Sequence, residues 1–251
     1  MITSSEHGRV RQLRLDRPPA NALNPALLAA LRTSLAEAQR DRCGAVVLSG
    51  APGYFSGGLD VPALLLLERS EMRATWELFF ALLRDIACAE TPVVAALTGH
   101  SPAGGTVMAI CTDYRMLAEG SFLIGLNEVQ VGLPLPEVLY RVLGHVVGSR
   151  QAERLAVGGL LIGPAEALRI GLVDELAPVA DVVPRAIAWA TELVSRPTLA
   201  MSTTRRMARR ALHQAFEQVN PAMLDVLVDQ WFSSETQAVM RALAAKLGKR
   251  A

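Results

Sequence analysis

The first two thirds of the chain alternate between short apolar runs and longer segments with apolar residues at helical spacing. Apolar runs at residues 45–48 and 93–97 predict buried strands, and further strands are predicted near residues 10–15, 114–118, 122–125 and 171–176. Leucines recur at helical spacing after Pro25, where Asn24 is placed to cap the helix, and residues 71–89 predict another helix. This alternation of strands and helices predicts an α/β fold.

The chain becomes mostly helical from about residue 136. Ser195-Arg196-Pro197 is the best boundary, so we expect a core at residues 1–195 and a helical C-terminal region at residues 196–251. That region carries one dense apolar face, formed by Met223, Leu224, Leu227, Val228, Trp231 and Phe232. Such a face fits either a subunit interface or docking onto the core of the same chain.

Composition raises the question of a membrane segment, because 51% of the 251 residues are hydrophobic. The longest stretch without charge, residues 91–112, is long enough to cross a bilayer, but prolines and glycines interrupt it. We therefore expect a soluble chain with a large core and no membrane partner. A net charge of +1 argues against nucleic-acid binding.

The three cysteines form no CxxC pair, and the four histidines are scattered, so no metal site is predicted. The first eight residues lack the apolar segment of a signal peptide, which makes the cytoplasm the expected location. Asp113, which follows the uncharged stretch, is expected to be a structural carboxylate. The basic pairs at residues 205–206 and 209–210 are candidates for contact with an anionic ligand.

Two glycine-containing segments follow predicted strands. The first is Phe-Ser-Gly-Gly-Leu-Asp at residues 55–60, and the second is Gly-His-Ser-Pro-Ala-Gly-Gly at residues 99–105. Glycines allow close backbone approach, and a helix that begins there presents free N–H groups. Two such turns in one cavity would form an oxyanion hole, although each alone is also explained by tight packing of a strand against a helix. Neither has the spacing of a dinucleotide- or nucleotide-phosphate loop.

A third segment, residues 124–134, places Glu128 among apolar and amide side chains. A carboxylate buried there costs several kcal/mol unless it is paired, protonated or functional. A raised pKa would suit proton transfer, whereas the alternative is an exposed loop glutamate.

Together, the three segments resemble the crotonase (enoyl-CoA hydratase/isomerase) family from about Val10 to the C-terminus, and residues 19–24 resemble its xNALN segment. The resemblance implies a spiral of ββα units, assembly as a homotrimer or a dimer of trimers, and acyl-CoA as substrate without a separate cofactor. It assigns oxyanion N–H groups to Leu59 and Gly104. It also implies a set of substrate-binding residues, which are Ala22, Ser56, Gly57, Gly58, Asp60, Leu64, Val107, Leu133 and Lys246.

The departures from the family pattern narrow the implied activity. Hydratases of this family use two glutamates; Val107 stands at the first position and Glu128 at the second. The GxxPAGG turn and the GLNExQxG loop resemble the mitochondrial-type 3,2-trans-enoyl-CoA isomerases, in which one carboxylate moves the proton. The implied activity is therefore isomerisation by Glu128. The alternatives are an enoyl-CoA hydratase or other crotonase-type acyl-CoA enzyme, and a non-catalytic acyl-CoA-binding protein.

Overall fold

The computed structural model describes residues 1–248, in which ten strands and twelve α-helices alternate as an α/β fold, as predicted. The strands are β1 (Ile2–His7), β2 (Val10–Leu15), β3 (Ala45–Ser49), β4 (Gly53–Tyr54), β5 (Val93–Leu97), β6 (Gly99–Pro102), β7 (Tyr114–Ala118), β8 (Ile124–Gly125), β9 (Leu161–Ile162) and β10 (Glu175–Ala177). A short 3-10 helix spans Glu128–Val131.

The helices are shortest near the two glycine turns and longest where they cover the sheet. They are α1 (Pro25–Arg40), α2 (Val61–Leu64), α3 (Arg69–Ala87), α4 (Gly104–Ile110), α5 (Glu137–Val147), α6 (Ser149–Gly158), α7 (Pro164–Arg169), α8 (Val179–Val194), α9 (Thr198–Ala208), α10 (Arg210–Glu217), α11 (Pro221–Trp231) and α12 (Ser234–Gly248). The cap predicted for α1 is confirmed, because the N–H of Leu27 donates to Asn24 Oδ1 at 2.9 Å.

A six-stranded sheet with the order β1-β2-β3-β5-β7-β10 forms the centre of the fold. Its strands from β2 to β10 run parallel, and every residue of β3 and β5 is buried, which explains their uninterrupted apolar sequences. Strand β1 pairs antiparallel with β2 at the edge. The sequence did not predict β1, because its residues are mostly exposed and show no apolar alternation.

A second, four-stranded sheet has the order β4-β6-β8-β9. Three successive units, β3-β4, β5-β6 and β7-β8, each give one strand to the central sheet and the next strand to this smaller sheet. The sequence had predicted residues 99–105 only as a turn between a strand and a helix. The structure instead has strand β6 there, because its backbone pairs with β4 on one side and β8 on the other.

Two further local predictions were wrong in detail. The strand expected at residues 171–176 is reduced to β10, because the N–H groups of Leu172 and Val173 donate to Ala167 O and hold a turn against α7. Both side chains are fully buried, so their apolar character reflects the core. The loop expected at residues 127–132 contains the 3-10 helix.

The apolar face predicted in the C-terminal region packs within the chain. Leu224, Leu227, Val228 and Trp231 of α11 are buried, and α11 packs on α3. Helix α12 contacts both α2 and the 3-10 helix. Residues 249–251 of the predicted C-terminal region lie outside the described residues. Within residues 1–248, no helix combines the length and the apolar composition that a membrane crossing requires.

Candidate active site

The first glycine turn, residues 55–60, lies beyond the C-terminal end of β3 and is fixed by backbone contacts with residues 20–23. The N–H of Gly57 donates to Ala20 O at 2.7 Å, and Gly58 O accepts from the N–H of Leu23 at 2.7 Å. The fully buried Ser56 donates through Oγ to Asn21 O at 2.9 Å. The turn is therefore built into the core and does not project as an exposed loop.

The second glycine turn meets the first in space. Gly58 has φ +84°, and a Cβ added there would lie 3.2 Å from Ala103 Cβ and 3.5 Å from the backbone nitrogen of Gly104. A Cβ on Gly104 would lie 2.8 Å from a methyl group of Leu23. Gly58 combines a positive φ with a close approach to the second turn, so glycine is required there.

Two backbone N–H groups are left free where the turns meet. Leu59 lies opposite Leu23 in a parallel β-bridge. The two hydrogen bonds of this bridge use the neighbours of Leu59: Leu23 N–H donates to Gly58 O, and Asp60 N–H donates to Leu23 O. Gly104 is the first residue of α4, where an N–H has no partner inside the helix. Within residues 1–248, neither N–H donates to another protein atom.

Substitution of Gly58 by alanine is expected to lower the catalytic rate about 10- to 100-fold. The added methyl group would push the second turn away from the first and so misplace the two free N–H groups. The matched control is Gly53→Ala. Gly53 has φ +95°, but a Cβ there meets no atom within 4 Å, so this variant carries the backbone strain without the clash. Steady-state kinetics of both variants make the test; equal losses would show that strain alone is responsible.

Glu128 is the first residue of the 3-10 helix. This helix is closed by Gly132 at φ +79°, and the N–H of Leu133 donates to Glu128 O at 3.0 Å. From outside, Thr236 of α12 donates through Oγ1 to Gly132 O at 2.6 Å. The backbone that carries Glu128 is therefore held on both sides.

The carboxyl group of Glu128 is partly shielded from solvent and has a raised pKa. Its Oε2 is out of contact with solvent and has no hydrogen-bond partner among the described residues. Burial raises the pKa of this carboxyl to about 7, and a hydrogen bond from its own backbone N–H opposes the rise. Such a group exchanges a proton readily near neutral pH, which is the property expected of a general base.

Strand pairing brings Glu128 near the two glycine turns. The N–H of Ala103 donates to Gly125 O at 2.8 Å, and the N–H of Gly125 donates to Thr106 Oγ1 at 2.8 Å. Gly125 and Glu128 are three positions apart in the chain, a span of at most about 10 Å. The acidic side chain and the free N–H groups therefore belong to one region, at the C-terminal edge of the central sheet.

The remaining residues expected to bind substrate occupy different environments. Ala22 O accepts from Arg17, and Asp60 both accepts from Arg17 at 2.5 Å and caps α2 through the N–H of Ala63 at 3.2 Å. The carboxylate of Asp60 is thus engaged in structural contacts. The apolar side chains of Leu64, Val107 and Leu133 are buried. Lys246, in the last turn of α12, is exposed.

Sequence reasoning gave no role to two other polar side chains in this region. Asn127 Oδ1 and Ser101 Oγ are buried without a hydrogen-bond partner among the described residues. Asn127 directly precedes Glu128. Ser101 packs against Gly105 of the second turn, because a Cβ added to Gly105 would lie 2.8 Å from the Oγ of Ser101. Their positions in the two motifs were visible in the sequence, but their lack of partners is a tertiary property.

Two of the arginines predicted to contact an anionic ligand, Arg205 and Arg209, already bind groups of the protein itself. Asp113 accepts from Arg205 at 2.6 and 2.8 Å and lies 3.3 Å from Arg209, and its Oδ2 accepts from the N–H of Val93 at 2.8 Å. Arg209 also donates to three carbonyl groups, of Ala87, Cys111 and Thr112. Arg205 and Arg209 are therefore structural, because their donors are already used. Among the described residues, no group of three or more His, Cys, Asp or Glu side chains could hold a metal ion.

Comparison with known proteins places the chain in a family. The model of the enoyl-CoA hydratase/isomerase family matches residues 5–247. The human protein "Enoyl-CoA delta isomerase 1, mitochondrial" is 34% identical over 205 residues, covering 80% of this chain and 68% of that protein. A "Probable enoyl-CoA hydratase" of Mycobacterium avium is 30% identical over 203 residues, covering 80% of this chain and 78% of that protein.

Solved structures extend the similarity to nearly the whole chain. The crystal structure of human mitochondrial delta3-delta2-enoyl-CoA isomerase superposes with a TM-score of 0.93 at 29% identity, covering 99% of this chain and 98% of that chain. An enoyl-CoA hydratase from Mycobacterium ulcerans gives a TM-score of 0.83 at 27% identity, covering 92% and 99%. The predicted crotonase-like spiral of ββα units is thereby confirmed, and the chain belongs to the enoyl-CoA hydratase/isomerase (crotonase) family.

Proposed function

We propose that this protein is an enoyl-CoA isomerase that moves a double bond from the 3 to the 2-trans position, with Glu128 as its single acid–base group. The observation that carries the proposal is the half-buried carboxyl of Glu128, whose Oε2 is shielded from solvent without a hydrogen-bond partner among the described residues and whose pKa is raised by burial to about 7. The similarity to the human delta isomerase supports the same choice. Val107, at the position of a second glutamate in hydratases, is buried and cannot ionise.

In the proposed reaction, the thioester oxygen of a 3-enoyl-CoA accepts hydrogen bonds from the N–H groups of Leu59 and Gly104. The carboxylate of Glu128 removes a proton from C2, and the electron pair of that C–H bond forms a dienolate whose negative oxygen those two donors stabilise. The protonated Glu128 then returns the proton to C4, so the double bond lies between C2 and C3. No water is added, and Glu128 ends in its starting state.

The remaining contacts of the substrate are also proposals. Ala22, Ser56, Gly57, Gly58 and Asp60 shape or border the first turn, and Leu64, Val107 and Leu133 supply apolar surface for the acyl chain. The exposed Lys246 is available for the phosphates of coenzyme A, which is part of the substrate. Assembly as a homotrimer or a dimer of trimers and a cytoplasmic location remain predictions from the sequence.

The direct test compares isomerisation of 3-hexenoyl-CoA with hydration of crotonyl-CoA by the purified protein. We expect isomerisation to be much faster. Faster hydration would establish the second candidate, which the 30% identity to a "Probable enoyl-CoA hydratase" favours. Calorimetric binding of both substrates without turnover would instead identify a non-catalytic acyl-CoA-binding protein. Extending the panel to longer 3-enoyl chains would define the acyl group that is preferred.

The pH dependence of kcat/KM should follow the ionisation of Glu128 in the free enzyme. Because a base must be unprotonated, kcat/KM is expected to rise about 50-fold between pH 5 and pH 7 and to level off above about pH 8. The measurement is kcat/KM for 3-hexenoyl-CoA at constant ionic strength. A midpoint near 4.5, the ordinary glutamate value, would mean that Glu128 is not buried in the active protein.

A further inference from the structure

A cavity of about 550 Å³ lies at the N-terminal ends of three parallel strands of the central sheet. Its wall includes Arg9 just before β2, Cys43 and Gly44 just before β3, and Pro92 just before β5. Helix α9 forms the opposite wall with several of its residues. A volume of this size falls within the usual range for small-molecule sites, about 300–1,000 Å³.

This cavity is separate from the proposed active site. The two glycine turns follow the C-terminal ends of β3 and β5, whereas the cavity precedes the N-terminal ends of the same strands. Five residues of strand separate the two edges, which is about 16 Å. None of the residues assigned to acyl-CoA lines this cavity.

The cavity carries an excess of positive charge. Four arginines line it against one glutamate, Glu90. Arg205 is compensated by Asp113, and Arg9 donates to Val194 O at 3.0 Å. Arg42 and Arg206 have no ion-pair partner within residues 1–248. Two guanidinium groups are therefore available to a ligand from opposite walls, one after α1 and one on α9.

The surroundings reinforce this positive field. Behind the wall, Arg205 and Arg209 share the single carboxylate of Asp113, which leaves one positive charge uncompensated. Burial lowers the pKa of His213, which also lines the cavity, and the neighbouring arginines lower it further. An anion would relieve the repulsion among these groups.

The remaining lining restricts the kind of anion. Apart from His213, no lining residue has an aromatic ring, so the cavity offers little for stacking a nucleotide base. Hydroxyl groups are present on Thr91, Thr198 and Ser202. Guanidinium groups match phosphate oxygens in geometry and charge. We propose that this cavity is a second ligand site, which binds a compact phosphate-bearing anion at Arg42 and Arg206.

Binding there would connect α9 to the sheet. Helix α9 has no buried residue, and its Arg205 donates hydrogen bonds to Asp113, to Ala89 O at 2.6 Å and to Glu90 O at 3.4 Å. A ligand that bridges Arg206 of α9 and Arg42 would add a second link. Ligand that binds only the folded state raises the melting temperature.

The test is calorimetric titration of the whole protein with inorganic pyrophosphate at constant ionic strength, which requires no turnover and is independent of the proposed activity. We expect a dissociation constant below about 1 mM and a weakening of at least about tenfold in the double variant R42Q/R206Q. The matched control is R40Q/R210Q, which removes two neighbouring exposed charges that do not line the cavity. This control should bind within about twofold of the original protein.

Three results would overturn the proposal. The first is the absence of pyrophosphate binding by the protein as it assembles in solution, which would also be seen if another copy covered the cavity. The second is an equal loss of affinity in R42Q/R206Q and R40Q/R210Q, which would mean general electrostatic attraction. The third is competitive inhibition of enoyl-CoA turnover by pyrophosphate that R42Q/R206Q does not relieve, since the anion would then occupy the coenzyme A site.

Discussion

Replacing Glu128 with glutamine is expected to lower kcat for isomerisation of 3-hexenoyl-CoA about 10³-fold or more. Glutamine has nearly the same shape but cannot take the C2 proton or return it at C4, and general acid–base catalysis contributes about 10²- to 10⁴-fold. The free N–H groups of Leu59 and Gly104 remain, so the variant should still bind acyl-CoA. Steady-state kinetics and calorimetric binding of the substrate would separate the two effects.

The matched control is Glu137→Gln, since Glu137 is an exposed glutamate in the next helix, where it pairs with Arg141. It should retain kcat within about twofold, because exposed pairs contribute little. Near-original turnover by Glu128→Gln would contradict the single-base mechanism. Similar losses in both variants would attribute the effect to disturbance of the region around residue 128.

The same substitution should stabilise the protein at alkaline pH. The pKa of Glu128 is about 7 in the folded state and about 4.3 in an unfolded chain. Below pH 4 both states are protonated and the residue has no effect. Between pH 4 and 7 only the unfolded state loses its proton, so stability falls, and well above pH 7 the penalty reaches about 4 kcal/mol. Urea unfolding should therefore show Glu128→Gln more stable than the original protein at pH 8 and equal to it at pH 4.

Replacing Asp113 with alanine is expected to lower the free energy of unfolding by about 3–5 kcal/mol. The reason is that Arg205 and Arg209 would keep their charges in a largely buried position without a carboxylate, and the N–H of Val93 would lose its acceptor. In a protein of this size, that loss corresponds to a fall of about 10 °C in melting temperature. Urea unfolding and thermal melting measure the two quantities.

An exposed aspartate provides the comparison. Asp225 of α11 pairs with Arg73 of α3 at the surface, and its side chain is 65% exposed. Asp225→Ala should therefore cost about 1 kcal/mol or less. A loss for Asp113→Ala no larger than that of Asp225→Ala would show that water reaches Arg205 and Arg209 and compensates for the missing carboxylate.

In Asp113→Ala, the loss of stability should be greatest in the C-terminal helices. Arg205 belongs to α9, and Arg209 joins α9 to α10, whereas Asp113 lies at the start of β7. Hydrogen exchange should therefore increase most in α9, which has no buried residue of its own.

The amino-acid sequence by itself determined the class of fold and the segments that carry the site. Short uninterrupted apolar runs predicted the buried strands β3 and β5, and the leucine spacing predicted helix α1. Paired glycines marked both turns, and Glu128 stood out because its neighbours are apolar or amide. These features are local in the chain, so periodicity and residue type were enough to find them.

Only the tertiary structure decided which of these groups meet and in what electrical state. Gly58 and Gly104 are 46 positions apart in the chain but lie close together, because β4 and β6 pair. Burial raises the pKa of Glu128, whose 3-10 helix contacts α12, and Asp113 pairs with arginines more than 90 residues away in the chain. Solvent exclusion and charge pairing arise between distant segments, and no local pattern of side chains encodes them.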